Sequence, residues 1–242
     1  MKQSDVKKPI IIIDFDSTFV SLEGLDELAA EALAHVPDRQ ERLAAIQHIT
    51  NEGMSGRIDF QTSLQRRFIQ LHPTAQHVDT VAKKLVAAIN PSFVRSKKTI
   101  EQEANRVWVV SGGFRELIEP VTDAFGIDRS HVLANTFVWD KERKHVVDYD
   151  HTNVLAGNDG KVAAVRSLHL NDDYVIVVGD GMTDYAIYAA GLADTCIAFT
   201  ETVQRPELLA KADYSSDDIQ FALNFTAPAA TSLSGVFSAV TT

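Results

Sequence analysis

A single cysteine, Cys196, stands in 242 residues. It excludes an intrachain disulfide and any multi-cysteine metal site. Its place in the apolar run Cys196-Ile197-Ala198-Phe199 predicts a buried strand residue. Positive charge is also short: 23 Lys and Arg face 33 Asp and Glu, for a net charge of −10. That balance argues against a nucleic-acid partner, which needs a basic stripe. An anionic small substrate would have to be met by positive charge focused locally. Near the N-terminus, Ile10 to Ile13 offers four apolar residues, far short of a signal-peptide core or a membrane-spanning helix. A cytoplasmic protein with no membrane partner is the expectation. From Ile219 to Thr242 there is no charged residue, and a packed final helix and a loose tail both remain open. There is no internal repeat.

What is present is organised. The length suits one large domain, or a core with a small second domain. Pro9-Ile10-Ile11-Ile12-Ile13, Arg106-Val107-Trp108-Val109-Val110 and Tyr174-Val175-Ile176-Val177-Val178 are β-branched runs of the kind buried on both faces of a parallel sheet. They end at Asp14-Phe15-Asp16-Ser17-Thr18, at Ser111-Gly112-Gly113 and at Gly179-Asp180-Gly181, and each polar stretch leads into a helical pattern. This repetition predicts an α/β domain whose polar loops share one sheet edge, where ligands bind. Between the first two runs, Leu22 to Asn90 shows only helical spacing, as in Leu25, Ala29 and Leu33, or Phe60, Leu64 and Phe68. It is too long for a simple crossover. An inserted helical cap over residues 21–90 is expected, with 1–20 and 91–242 forming the core; extra helices on the sheet are the alternative. Ala134 to Trp139, a charged turn at 140–144 and His145 to Tyr149 predict an antiparallel hairpin.

The chemistry gathers at the predicted edge. Alternation along an extended segment points Asp14 and Asp16 to one side. Two carboxylates at a strand end repel each other unless a cation joins them. Asp180 and Asp184 add a second pair, and an all-oxygen donor set without His or Cys suits Mg²⁺. Ser111-Gly112-Gly113 reads as a loop entering a helix, with a hydroxyl and free amides for an anion. Lys161 falls in a predicted first helical turn, after Gly157-Asn158-Asp159-Gly160. There a cation opposes the helix dipole, which suggests a functional task such as neutralising phosphate.

Taken together, Asp14-Phe15-Asp16-Ser17-Thr18, Ser111-Gly112-Gly113-Phe114, Lys161 and Gly179-Asp180-Gly181-Met182-Thr183-Asp184 resemble the four ordered motifs of the haloacid dehalogenase superfamily, and within it the phosphoserine phosphatase family. The resemblance spans residues 10–215. It implies a Rossmann-like parallel core with an inserted helical cap, and Mg²⁺-dependent hydrolysis of a small phosphomonoester through an aspartyl-phosphate. Asp14 would be the nucleophile and Asp16 the acid and base. The metal would be held by Asp14, Asp16 (through its carbonyl) and Asp180, with Asp184 orienting that shell. Ser111, Gly112, Gly113, Lys161 and Thr183 would meet the phosphate. Glu23, Met54, Phe60 and Arg67 match the family's substrate-reading positions. Helix geometry favours Arg67 over Arg66, because Phe60, Leu64 and Arg67 share a face. Many members carry Asn where this chain has Thr183, and no added regulatory domain is expected. Another small phosphate ester, a phosphotransferase acceptor or a non-catalytic phosphate-binding module remain alternatives, and so do monomer and homodimer.

Overall fold

A computed structural model of the chain describes residues 8–54, 57–171 and 173–227, with Met54 described in its backbone alone. Lys2, Lys7 and the uncharged end beyond Ala227 lie outside the described residues. The described strands are β1 (Ile10–Ile13), β2 (Val107–Phe114), β3 (Val132–Asn135), β4 (Phe137–Trp139), β5 (Val146–Tyr149), β6 (Val175–Gly179), β7 (Thr195–Phe199) and β8 (Tyr214–Ser216). The helices are α1 (Gly24–Ala32), α2 (Arg39–Met54), α3 (Phe60–Phe68), α4 (Ala75–Ala87), α5 (Pro91–Gln102), α6 (Arg115–Asp123), α7 (Gly160–Arg166), α8 (Met182–Ala189), α9 (Pro206–Leu209) and α10 (Gln220–Leu223). Six strands form one sheet in the order β3-β2-β1-β6-β7-β8, with every pair parallel.

The β-branched runs explain the layers. Side chains alternate across a strand. Ile11, Ile13, Val107, Val109, Ile176 and Val178 therefore enter one apolar cluster, while Ile12, Val110, Val175 and Val177 enter the other on the opposite face. Burying each such side chain contributes roughly 1.5–3 kcal/mol. Truncating fully buried Ile13 to alanine is expected to cost about 2–5 kcal/mol. Cys196 is buried in β7, as its apolar run predicts, and burial first, then Asp184 and Asp213, pushes its thiol up to about 12.

Among the described residues, five α-helices lie between β1 and β2. The chain leaves and re-enters the sheet through a short paired stem. Val20 bridges Ile89, the Ser21 amide donates to the Ala88 carbonyl at 2.9 Å and the Asn90 amide to the Phe19 carbonyl at 3.0 Å. α1 packs against α4, and α4 against α6, all within the larger apolar cluster. α2 and α3 pack on each other. α3 starts where Asp59 accepts the Thr62 amide at 2.8 Å, and α4 starts at a reciprocal Thr74–His77 cap. In α3, Leu64, Arg67 and Phe68 are buried and Arg66 is exposed, the face expected from the spacing.

Two expectations are corrected. Residues 131–150 are not one hairpin. Val132–Asn135 joins the main sheet as its parallel edge, and only Phe137–Trp139 pairs with Val146–Tyr149, through a bulge. A parallel partner, β2, lies beside the first segment, and the strand breaks at Thr136. Ser111-Gly112-Gly113 is not a helix-entry loop either. It continues β2 in extended form to Phe114, with a register shift against β3, and α6 begins only at Arg115. Of the uncharged C-terminal stretch, the described part forms the short helix α10, which packs on α5.

Candidate active site

β1 sits between β2 and β6, so the polar ends of all three open at one place. They floor a cavity of about 490 Å³. Asp14, Asp16, Ser111, Gly112, Gly113, Lys161, Asp180 and Thr183 line it from the core, and Glu23, Phe60 and Arg67 from the helical side. Asp184 is buried beside this floor. The side chain of Met54 lies outside the described residues.

Asp14 is fixed at the end of β1. Its amide donates to the Val178 carbonyl at 2.9 Å, and its Oδ1 accepts the Phe15 amide at 2.7 Å. Lys161 Nζ stands 2.7 Å from Asp14 Oδ1 and 2.7 Å from Asp184 Oδ1. Burial alone would push this lysine down, but Asp14 and Asp184 outweigh it and hold it above its ordinary value. The expected misplacement is real: Lys161 is the second residue of α7, whose entry runs through left-handed Asp159.

Asp14, Asp180 and Asp184 each place a carboxylate oxygen within 4.8 Å of the others. Burial first, then Asp14, pushes Asp184 up to about 8 and raises Asp180 as well. Three crowded, buried carboxylates fit a hard divalent cation, and the absence of nitrogen and sulfur donors favours magnesium or a close analogue. Asp184 owes its place to Gly179, because a Cβ there would lie 2.2 Å from Asp184 Cγ. The Asp16 carboxylate is not part of this trio. It turns to α1, where Oδ1 accepts the Gly24 amide at 2.8 Å. Burial first, then Glu23, raises its pKa well above the usual range. A raised pKa favours the protonated carboxyl, the form that can donate a proton.

The helical side carries a second polar pair. Glu23 accepts from Ser17 Oγ at 2.7 Å and has no ion-pair partner among the described residues. Burial first, then Asp180, raises it. Arg67 is buried, with Nε on the Ser63 carbonyl at 3.4 Å. Phe60 closes on the core: a Cβ on Gly112 would stand 2.6 Å from its Cζ. Beside it, Asn158 Oδ1 accepts the Gln61 amide at 3.1 Å, tying α3 to the loop before α7.

Sequence reasoning missed Arg205. Its Nε and Nη2 reach Asp180 Oδ2 at 2.9 and 2.8 Å. It precedes α9 in a stretch without periodicity, and no local signal marks it.

A parallel α/β fold with a buried aspartate paired to a lysine and a carboxylate cluster at one strand edge defines a class. The family model for haloacid dehalogenase-like hydrolases matches residues 11–188, and the chain belongs to that family. Within it the chain is a phosphatase of the phosphoserine phosphatase branch. The phosphoserine phosphatase of Methanocaldococcus jannaschii is 32% identical over 215 residues, covering 86% of this chain and 91% of that protein. A phosphoserine phosphohydrolase-like protein from Francisella tularensis superposes with a TM-score of 0.76 at 29% identity, covering 88% and 97% of the two chains. A phospho-aspartyl intermediate analogue of a phosphoserine phosphatase gives 0.70 at 29% identity, covering 90% and 98%.

Proposed function

We propose that the protein hydrolyses O-phospho-L-serine to L-serine and phosphate through a phosphorylated Asp14. The observation that carries this reading is the pairing, in one cavity, of Asp14 and Lys161 with Glu23, which has no cation partner among the described residues, and Arg67, whose Nη2 makes no hydrogen bond among them. The first pair suits a phosphate. The second suits an ammonium and a carboxylate on the same small molecule.

Asp14 attacks phosphorus as the bond to the serine oxygen breaks. Asp16 gives its proton to that oxygen. Water then attacks phosphorus as the bond to Asp14 breaks, Asp16 takes the water's proton, and phosphate leaves. Lys161, Ser111 and the Gly112 amide meet the phosphoryl oxygens, with Thr183 and Gly113, whose own amide donates to Ser111 Oγ at 2.9 Å, beside them. Asp14, the Asp16 carbonyl and Asp180 would hold magnesium, with Asp184 behind them. The ion would offset repulsion between the two anions and the charge gathered on the phosphoryl group. The segment 21–90 acts as the cap, with Glu23, Phe60 and Arg67, and Met54 from the end of α2, reading the substrate.

The test is phosphate release from L-phosphoserine, with and without Mg²⁺, beside a panel of small phosphomonoesters, alcohol acceptors and an Asp14→Asn control. Preferred, magnesium-dependent release that the control abolishes is the expected result. Turnover of another ester with phosphoserine ignored would overturn the substrate assignment. Transfer of phosphate to an added alcohol would make the protein a phosphotransferase.

A further inference from the structure

Behind Arg67 lies a polar junction that the chemistry above does not use. Asp26 of α1 places Oδ1 3.6 Å from Arg67 Nη1. Thr50 of α2 joins both: its Oγ1 donates to Asp26 Oδ1 at 3.1 Å and accepts from Arg67 Nη1 at 3.4 Å. The Thr50 hydroxyl also touches the Ile46 carbonyl one turn back, at 3.1 Å, so the bridge is anchored on its own helix. Three helices thus meet at one guanidinium. Thr50 is buried, and Asp26 is mostly shielded, at 19% side-chain exposure.

Asp26 does not face the cavity, whereas Thr50, Ser63 and Arg67 do. It therefore meets the arginine from the side away from any bound molecule. The contacts on Arg67 are divided accordingly. Nε and Nη1 are held by protein, while Nη2 takes no hydrogen bond among the described residues. A guanidinium held at both Nε and Nη1 has its plane fixed, so Nη2 is presented at a set angle, which a planar carboxylate requires. A long, mobile arginine would lose that orientation by rotamer freedom alone.

We propose that Asp26, acting through Thr50, is a positioning residue that aims Arg67 at the substrate carboxylate and so sets preference for amino-acid phosphates. This rests on the reading of Arg67 as the carboxylate partner. Asp26 touches neither substrate nor reacting atoms. The requirement is for an acceptor at this place, so an amide oxygen serves nearly as well as a carboxylate.

The experiment compares KM and kcat for O-phospho-L-serine and for O-phosphoethanolamine, which lacks the carboxylate, in Asp26→Ala, Asp26→Asn, Thr50→Val, Arg67→Ala and Asp26→Ala/Arg67→Ala proteins. Asp26→Ala is expected to raise the phosphoserine KM about tenfold, the effect of one charge-assisted hydrogen bond, with kcat and phosphoethanolamine kinetics unmoved. Asp26→Asn should recover most of that loss, and Thr50→Val should show a smaller rise of the same selectivity. In the Arg67→Ala background, Asp26→Ala should add nothing. An unchanged phosphoserine KM in Asp26→Ala overturns the proposal, as does an equal rise for both esters. If Asp26→Ala does not fold, an unchanged KM in Thr50→Val does the same. If Arg67→Ala itself fails to separate the two esters, the reading of Arg67 falls first. Selective loss in Arg67→Ala without loss in Asp26→Ala sinks only the proposal made here.

Discussion

The ring of Phe60 occupies the place where any side chain on Gly112 would go, 2.6 Å from an added Cβ. This contact joins the helical segment to the β2 edge at the cavity. Gly112→Ala must push the ring aside. Because the ring is the free end of a side chain, stability should barely change. The cavity wall does change, and a displacement of this order is expected to lower kcat/KM about a hundredfold. Phe60→Ala removes the clash, so Gly112→Ala should cost much less in that background. Thermal melting and steady-state kinetics on the four proteins of this cycle check it.

Lys161→Ala removes the cation that lies between Asp14 and Asp184. One such charge contact is worth on the order of 3 kcal/mol in the barrier, so kcat should fall about a hundredfold or more. Single-turnover phosphate release measures the chemical step directly. An unchanged rate would show that the lysine only supports the fold.

Asp180→Asn weakens the carboxylate trio without changing its size. Half-saturation by Mg²⁺ should rise by about tenfold or more. Mg²⁺ should raise the melting temperature of the native protein, and that rise should shrink in the variant. Titration of Tm and of activity with Mg²⁺ after chelator treatment reads both.

Glu116 adds a pH dependence of stability away from the carboxylate cluster. It accepts the Phe137 amide at 3.1 Å and Trp139 Nε1 at 3.4 Å, holding the β4–β5 hairpin to α6. Burial raises its pKa above 4.5. The folded protein therefore keeps this proton where the unfolded chain has released it. Stability from this group is full below about 4.5 and falls as pH rises from there through the folded value. Glu116→Gln keeps an acceptor and loses the charge. Its Tm should match or exceed that of the native protein at pH 7–8, with the difference closing toward pH 4. A difference that grows toward acid would refute the sign.

Asn158→Ala cuts the hydrogen bond to the Gln61 amide. Exchange of that amide should speed up, and KM should rise a few fold while kcat holds. Hydrogen exchange resolved at residues 58–64 is the direct measurement. Unchanged protection there would mean that Phe60 alone seats α3.

Much of the fold was legible because β-branched runs carry their own pattern. Ile10–Ile13 and Val175–Val178 state both strand and burial locally, and the acids that follow them mark the edge. The helix face of Leu64, Arg67 and Phe68 was legible for the same reason. What escaped depends on contacts distant in sequence. Ala134 and Asn135, the end of β3, were read with the hairpin, because their alternation is the same whether the partner is β2 or β5. Ser111–Gly113 gave no sign of staying extended, because glycine suits a loop and a strand end alike. Arg205 and Asp26 escaped most completely. Their roles exist only through Asp180 and Arg67, and nothing next to either residue in the chain announces the partner.

The order of the sheet also bears on how the molecule comes into being. β1 pairs with β2 on one side and with β6 on the other, so Ile10 lies against Val175 across most of the chain. Asp14 and the whole helical insertion emerge early in synthesis, yet Lys161 and the acidic pair beyond β6 arrive later. No shorter nascent chain holds a complete site, and a strand pair this distant must bear a large closure entropy before it forms. Gain of turnover on refolding should therefore trail the early appearance of helix and coincide with the docking of β6.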